Sequence, residues 1–275
     1  MTRDDETTAR DTVLQDAVPN DRDTAFDEAA FTRTLQIASE YVGVTLTARQ
    51  TADCLIYTRL LLGTNAHTNL TRITEPGEIA IKHFADSLTC FGAVGKVWDR
   101  ERPAVCDVGT GAGFPGLVLK IVRPDLRLTL LDSLRKRLTF LEAVCATLGL
   151  EGVLFVHARA EEAGRDPALR DGFDVVTARA VAALPTLLEW CAPLARPGGH
   201  FLAMKGGNVD AELAGAADAA RLLNVRLAQD RVLTLPPVPG SDEPPAERRV
   251  LIYRKAAPTP PRFPRIAAEI KRQGL

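Results

Sequence analysis

The 275-residue chain has no uninterrupted apolar run near the ~18 residues of a membrane span, so the sequence predicts no transmembrane helix. Net charge is almost absent too: 34 Lys and Arg stand against 35 Asp and Glu, giving −1. That balance excludes a uniformly basic nucleic-acid binder and leaves only local basic patches for contact with a polyanion. The five cysteines, Cys54, Cys90, Cys106, Cys145 and Cys191, are an odd number, widely separated, without the paired spacing of a metal site. Each lies among apolar residues, which predicts core packing and no metal. No internal repeat is visible, and the first 30 residues hold several acids with no apolar core, so no secretory signal is expected there and the expected location is cytoplasmic.

What is present is the composition of a soluble globular protein, 46% hydrophobic and 25% charged, in a length sufficient for one large domain or two small ones. Residues 1–25 mix acids, Thr and Arg without apolar periodicity and read as a disordered leader. Over 26–102 the pattern is helical. Phe31, Leu35, Ala38 and Val42 mark one helix ending near Gly43; Thr47 caps a second that Gly63 is expected to stop. Asn65 to Ile73 reads as a loop, and a third helix with Pro76 in its first turn runs to Leu88. His83 and Asp86 share a face of it, either as a surface pair or as a polar ledge over a glycine-rich turn that begins at Gly109.

From 103 to 255 strand and helix alternate, which predicts an α/β domain with a mainly parallel sheet. The expected strands are Ala104–Val108, Arg127–Leu131, Val153–Val156, Phe173–Thr177 and His200–Lys205, followed by an antiparallel end from Arg226–Leu235 and Arg249–Tyr253. Helices are expected from Gly113 to Val122, along the Leu134, Leu138, Leu141, Cys145 and Leu148 stripe, from Leu184 to Leu194 and from Val209 to Leu223. Pro236–Pro245 and the Pro-rich, basic tail over 256–275 are expected to be mobile. Between Arg248 and Arg272 eight basic residues face only Glu269, so this end is where a polyanion would bind.

The first strand runs into Asp107-Val108-Gly109-Thr110-Gly111-Ala112-Gly113-Phe114-Pro115-Gly116. Glycines supply positive φ and bring a ligand against bare backbone, and the helix after them is expected to offer free N–H groups to it. Alone, Gly111-x-Gly113-x-x-Gly116 with Asp132 after the second strand also fits a dinucleotide site. Asp107 and Gly109 extend it to Asp-x-Gly-x-Gly-x-Gly, which resembles the first motif of class I S-adenosylmethionine-dependent methyltransferases. An acid at that place repels a pyrophosphate and attracts the amino group of a methionine moiety. Asp132 would take ribose hydroxyls, Ala160-Glu161 would lie beside an adenine, and Arg179 follows the fourth strand.

Six stretches carry a closer resemblance. These are Asn69-Leu70-Thr71, His83-Phe84-Ala85-Asp86-Ser87-Leu88, the glycine turn through Gly116, Leu131 to Arg137, Thr177-Ala178-Arg179-Ala180 and Met204-Lys205-Gly206. Over residues 30 to 255 the chain is similar to the bacterial 16S ribosomal RNA guanine-N7 methyltransferases, also called the glucose-inhibited division protein B family. The resemblance implies a class I, Rossmann-like, mostly parallel seven-stranded sheet with an N-terminal helical layer. It also implies S-adenosyl-L-methionine as cofactor and 16S ribosomal RNA, free or in the small ribosomal subunit, as partner. Carried over by position, cofactor contacts fall on Gly109, Phe114, Ala160, Glu161 and Arg179, beside the Asp107, Gly111, Gly113 and Asp132 of the turn and strand end. Substrate contacts fall on Asn69, His83, Arg159, Lys205 and Arg248, with Arg179, Lys205 and Arg248 at the reacting centre. Neither the leader nor the tail inherits a role.

Guanine N7 has an in-plane lone pair, so its methylation requires positioning and electrostatics and no general base. The chain accordingly has no Asn/Asp-Pro-Pro-Tyr/Phe motif for an exocyclic amine and no cysteine placed for attack on a pyrimidine. A small-molecule methyltransferase, a non-catalytic nucleotide-binding RNA protein and a dehydrogenase are the alternatives left open. Nothing in the sequence demands more than a monomer.

Overall fold

The computed structural model describes residues 26–179, 182–272 and 275, so the leader expected over 1–25 lies outside the described residues. One seven-stranded sheet runs in the order β3-β2-β1-β4-β5-β7-β6. Its strands are β1 (Ala104–Val108), β2 (Arg127–Asp132), β3 (Val153–His157), β4 (Phe173–Arg179), β5 (Ala195–Gly206), β6 (Val225–Thr234) and β7 (Glu247–Lys255). The first five are parallel, and β7 pairs antiparallel with β5 and with β6. Continuous burial along β1 matches its place at the centre of a sheet covered on both faces, whereas β6 at the edge is largely exposed.

The N-terminal layer holds α1 (Glu28–Tyr41), α2 (Ala48–Thr68) and α3, the last made of α-helical Pro76–Glu78, π-helical Ile79–Ala85 and α-helical Asp86–Leu88. Asp27 caps α1 by accepting from the Ala30 N–H at 2.8 Å, and Thr47 forms a capping box with Gln50 on α2. Gly63 does not stop α2. A glycine inside a helix costs about 1 kcal/mol, and buried Tyr57 and Leu61 hold the helix on its course until left-handed Asn69 ends it. Residues 65–68, expected in a loop, are therefore helical.

Behind the sheet strands come α4 (Gly116–Val122), α5 (Arg135–Leu148), α6 (Ala160–Ala163), α7 (Leu184–Cys191), α8 (Asp210–Gly215), α9 (Ala217–Leu222) and α10 (Ala267–Arg272). The helix expected over 209–223 is thus broken in two, and α4 starts three residues later than expected. Gly109, Gly111 and Gly113 have φ of 66°, 59° and 97°, which no helix accommodates. One face of the sheet packs on the N-terminal layer with α4 and α5, through Phe31, Tyr57, Phe84, Leu117 and Leu141. The other packs on α6, α7 and α9, through Leu184, Leu187, Cys191, Ala219 and Tyr253. All five cysteines are buried free thiols, and burial pushes each thiol pKa up.

The tail expected to be mobile is docked as far as Arg265. The Ala256 N–H donates to Asn224 O at 2.8 Å, Thr259 and Phe263 are buried, and Arg170 donates to Thr259 O, Phe263 O and Gly164 O. Arg265 pairs in bidentate fashion with fully buried Glu189. The basic run is also neutralised by acids remote in sequence: Arg248 by Asp86, Arg249 by Asp210 and Asp230, Lys255 by Asp171. Four of the eight cations over 248–272 are therefore spent inside the fold.

Candidate active site

The glycine turn is fastened to the N-terminal layer by stacked rings. Phe114 lies between Tyr57, with centroids 5.2 Å apart and planes within 14°, and His83, at 4.5 Å and 19°. Phe84 meets Phe114 edge-on at 5.4 Å, and the Tyr57 hydroxyl donates to Ala112 O. Arg179 adds its guanidinium over the Phe114 ring, 5.2 Å from the centroid. In the sequence Tyr57 is legible only as a core position of a helix; its phenol is what ties that helix to the turn.

Two expectations for the turn are corrected. Asp107 is fully buried, and its carboxylate accepts from Thr110 Oγ1 at 2.6 Å, Thr177 Oγ1 at 2.9 Å and the Gly116 N–H at 3.1 Å. Burial raises its pKa, against the pull of these donors. It holds the turn from below and does not face a ligand amino group. The first N–H groups of the helix are correspondingly engaged, Gly116 N–H by Asp107 and Leu117 N–H by Gly113 O, and in the turn Gly111 N–H is spent on Asp132 Oδ2 at 2.9 Å, Gly113 N–H on Thr110 O and Gly109 N–H on Leu131 O. The glycines serve shape. A Cβ on Gly113 would strike Tyr57 and Leu141, and one on Gly116 would sit 2.7 Å from Leu130 and 2.9 Å from Asp107.

Two cavities open at the carboxyl ends of the strands. The smaller, about 200 Å³, is lined by Gly109, Asp132, Ala160, Glu161, Arg159 and Trp190, among others. Asp132 is buried at its floor, accepting from Gly111 N–H and Leu134 N–H, with Arg137 Nη1 3.2 Å from Oδ2. Glu161 is buried beside it, and Trp190 Nε1 is inaccessible to solvent with no acceptor among the described residues. The sequence does not single out Trp190, because nothing in a helical stripe distinguishes a ring that reaches a cavity from one in the core. Arg159, expected with the substrate residues, stands here instead, where the β3–α6 connection puts it.

The larger cavity, about 730 Å³, runs between α3 and the ends of β4 and β5. Asp86 organises it, accepting from Arg179 Nη1 at 3.1 Å and from Arg248 Nε at 3.1 Å. Arg179 Nη1 also donates to Lys82 O, one of the carbonyls of the π-helical turns. His83 is buried, and its pKa falls to about 3 through desolvation and then the nearby charge of Arg179. As a neutral ring it accepts at Nδ1 from Arg179 Nη2 at 3.4 Å, which leaves Nε2 to donate to Thr71 Oγ1 at 2.9 Å. Lys205 Nζ donates to Ala182 O and to Glu212 Oε2, both at 2.7 Å. Burial pushes Glu212 up, but Lys205 and the Leu184 N–H bring its pKa below the usual value.

The structure thus assembles His83, Arg179, Lys205 and Arg248 around one cleft, and Asp86, Glu212 and Thr71 hold them. Asn69 stands apart, exposed at the end of α2. Four cations, Lys82, Arg179, Lys205 and Arg248, line the cleft against two carboxylates. Among the described residues no cluster of His, Cys, Asp and Glu could hold a metal, and no helix is long and apolar enough to cross a membrane.

A parallel sheet with a glycine-rich turn after β1, a buried acid at the end of β2, and an antiparallel β7 inserted before the edge defines a class I S-adenosylmethionine-dependent methyltransferase. Residues 50–233 match the GidB family model, described as rRNA small subunit methyltransferase G, and the chain belongs to this family. Two relatives carry the name ribosomal RNA small subunit methyltransferase G. The one from Lactobacillus helveticus is 43% identical over 230 residues, covering 84% of this chain and 93% of its own. The other, from Lactobacillus delbrueckii subsp. bulgaricus, is 47% identical over 219 residues, covering 80% and 89%. Among solved structures, a 16S rRNA (adenine(1408)-N(1))-methyltransferase from Catenulisporales acidiphilia is similar at 18% identity and a TM-score of 0.45, covering 60% of this chain and 90% of that one.

Proposed function

We propose that the chain transfers a methyl group from S-adenosylmethionine to N7 of a guanine in small-subunit ribosomal RNA, in the cytoplasm. The observation that carries this reading is the chemistry of the large cleft. It offers cations, and its described acids and its histidine are already engaged: Asp86 by Arg179 and Arg248, Glu212 by Lys205, and neutral His83 by Arg179 and Thr71. A nucleophile that is already unprotonated fits such a cleft, and guanine N7 is one.

The smaller cavity fits the cofactor on its donor set. Asp132 carries acceptors at the floor, Glu161 an acceptor at the wall, and Trp190 an unpartnered donor. Bound there, S-adenosylmethionine supplies a methyl group on a sulfonium. Asp132 would orient the ribose, and Ala160 with Glu161 the adenine edge. Phe114 is fixed between Tyr57 and His83, of which His83 lines the larger cavity.

In the cleft, Arg179 and Arg248 retain N–H donors beyond those spent on Asp86, and their forks suit phosphate or the guanine O6. Lys205 is fixed by Glu212 and adds positive charge rather than a free phosphate hook. The arrangement positions the base for in-line attack and stabilises its oxygens; no proton moves. Calorimetry tests the cofactor half: saturable binding of S-adenosylmethionine and none of NAD is expected, and the reverse overturns the reading.

A further inference from the structure

Outside the cleft, one guanidinium nitrogen among the described residues is both buried and without an acceptor. Arg231 lies on β6, its Nη1 inaccessible to solvent and without a hydrogen-bond partner, and no carboxylate lies within salt-bridge distance of it among the described residues. Its neighbours differ. Arg248 and Arg249 on the adjacent strand are both paired, and Asp230, the nearest acid in sequence, points to the opposite face of the sheet, where it binds Arg249. A buried guanidinium N–H without an acceptor is destabilising. The fold nevertheless makes room for it: a Cβ on Gly92 would come within 2.5 Å of Nη1.

Arg231 opens into a cavity of about 450 Å³ between the end of α1, the segment after α3 and the edge strand. Its wall includes Tyr41, Thr89 and Thr234 but no acid. The Thr89 hydroxyl is spent on Asp86 O at 2.6 Å, whereas Thr234 is exposed and Tyr41 stands at the rim, 59% exposed. A fork of N–H donors beside an exposed aromatic ring is the set that takes a phosphate and the base attached to it. The cavity and the cleft lie along the same stretch of chain. Thr89 lies three residues beyond Asp86, about one helical turn of ~5.4 Å pitch.

We propose that Arg231 and Tyr41 form a second RNA subsite, in which the half-buried Arg231 side chain turns its Nη1 out from beside Gly92 to take a backbone phosphodiester of the substrate strand and Tyr41 stacks on its base. The subsite rests on the reading that the substrate is RNA. It holds the strand that leaves the cleft and contributes to affinity, not to the transfer step.

The test is fluorescence anisotropy with a labelled 16S ribosomal RNA transcript over a range of salt, on the wild-type chain, Arg231→Gln, Arg231→Lys and Tyr41→Ala. Arg231→Gln should weaken binding about tenfold at low salt and flatten the log–log salt slope by about 0.7 to 0.9, the share of one phosphate. Arg231→Lys should keep the slope. Tyr41→Ala, exposed and harmless to folding, should lose about fivefold in affinity with an unchanged slope. Binding of S-adenosylmethionine should be the same in all four. Equal affinity and slope for Arg231→Gln and wild type would overturn the subsite, as would thermal stabilisation by inorganic phosphate lost in Arg231→Gln with no change in RNA binding. This readout needs no methyl transfer. A wild-type chain that binds RNA through Arg231 yet methylates nothing overturns the proposed function alone; one that methylates while Arg231→Gln binds normally overturns the subsite alone.

Discussion

The imidazole of His83 lies on the phenyl ring of Phe114, with centroids 4.5 Å apart, so the polar helix of the cleft and the glycine turn beside the smaller cavity meet ring to ring. Both rings are buried, and the contact keeps His83 neutral beside Arg179. The helix that lines the cleft and the glycine turn are therefore one packed unit.

The low pKa of His83 makes stability depend on pH in a definite direction. The folded value of about 3 lies below the ordinary 6.5, so the unfolded chain takes up a proton that the folded one refuses. Stability from this residue is fully present above pH 6.5 and is lost as pH falls toward 3, about 2 kcal/mol between pH 6.5 and 5. Urea unfolding of wild type and His83→Gln from pH 7.5 to 5 should show the wild-type advantage shrinking by that amount. An advantage that stays constant or grows on acidification would contradict the neutral, buried ring.

Asp107 anchors the turn through three donors. Asp107→Ala strands the Thr110 and Thr177 hydroxyls and the Gly116 N–H, which should cost about 3 kcal/mol or more and abolish S-adenosylmethionine binding. Asp107→Asn should fall between, because the Thr177 hydroxyl can rotate to accept from the amide. Denaturant unfolding with calorimetry checks both. Wild-type stability in Asp107→Ala would remove the anchoring role.

Arg179 joins Asp86, the Lys82 carbonyl and Phe114 at the mouth of the cleft. Arg179→Ala should lower single-turnover methyl transfer about 100-fold or more, while Asp86 keeps Arg248 and the fold persists. Arg179→Lys should recover little, since an ammonium cannot span the same partners. Undiminished transfer in Arg179→Ala would take it out of the site.

The docked tail carries a structural prediction. Removing residues 256–275 leaves fully buried Glu189 without Arg265 and uncovers the pocket of Phe263, at a cost of about 3 to 5 kcal/mol. The unfolding temperature of the truncated chain should drop by many degrees, and Glu189→Leu should restore part of it. An unchanged unfolding temperature would return the tail to the role of a loose basic extension.

Local structure is legible in the sequence. The strand–helix alternation after residue 103 places the strands to within a few residues, except that β5 starts five earlier, at Ala195, because hydrophobic runs and glycine punctuation report on nearby residues alone. Pairing across the fold is not visible in that way. Asp86 shares a helix face with His83, yet its two arginine partners come from residues 179 and 248. Asp107 looks like a ligand contact because an acid before a glycine turn reads the same whether its carboxylate faces up or down. Gly63 looks like a stop because local propensity carries no sign of the burial of Tyr57 and Leu61 that overrides it.

Methylation of guanine N7 in small-subunit ribosomal RNA is tested most directly by incubating the purified chain with S-adenosylmethionine and small ribosomal subunits from cells lacking the protein. The methylated nucleoside is then identified by mass spectrometry after digestion of the RNA. The expected product is 7-methylguanosine at a single position, absent with Arg179→Ala. Methyl incorporation on an adenine, a cytosine or a ribose hydroxyl, or none at all with folded and cofactor-loaded protein, would contradict the assignment.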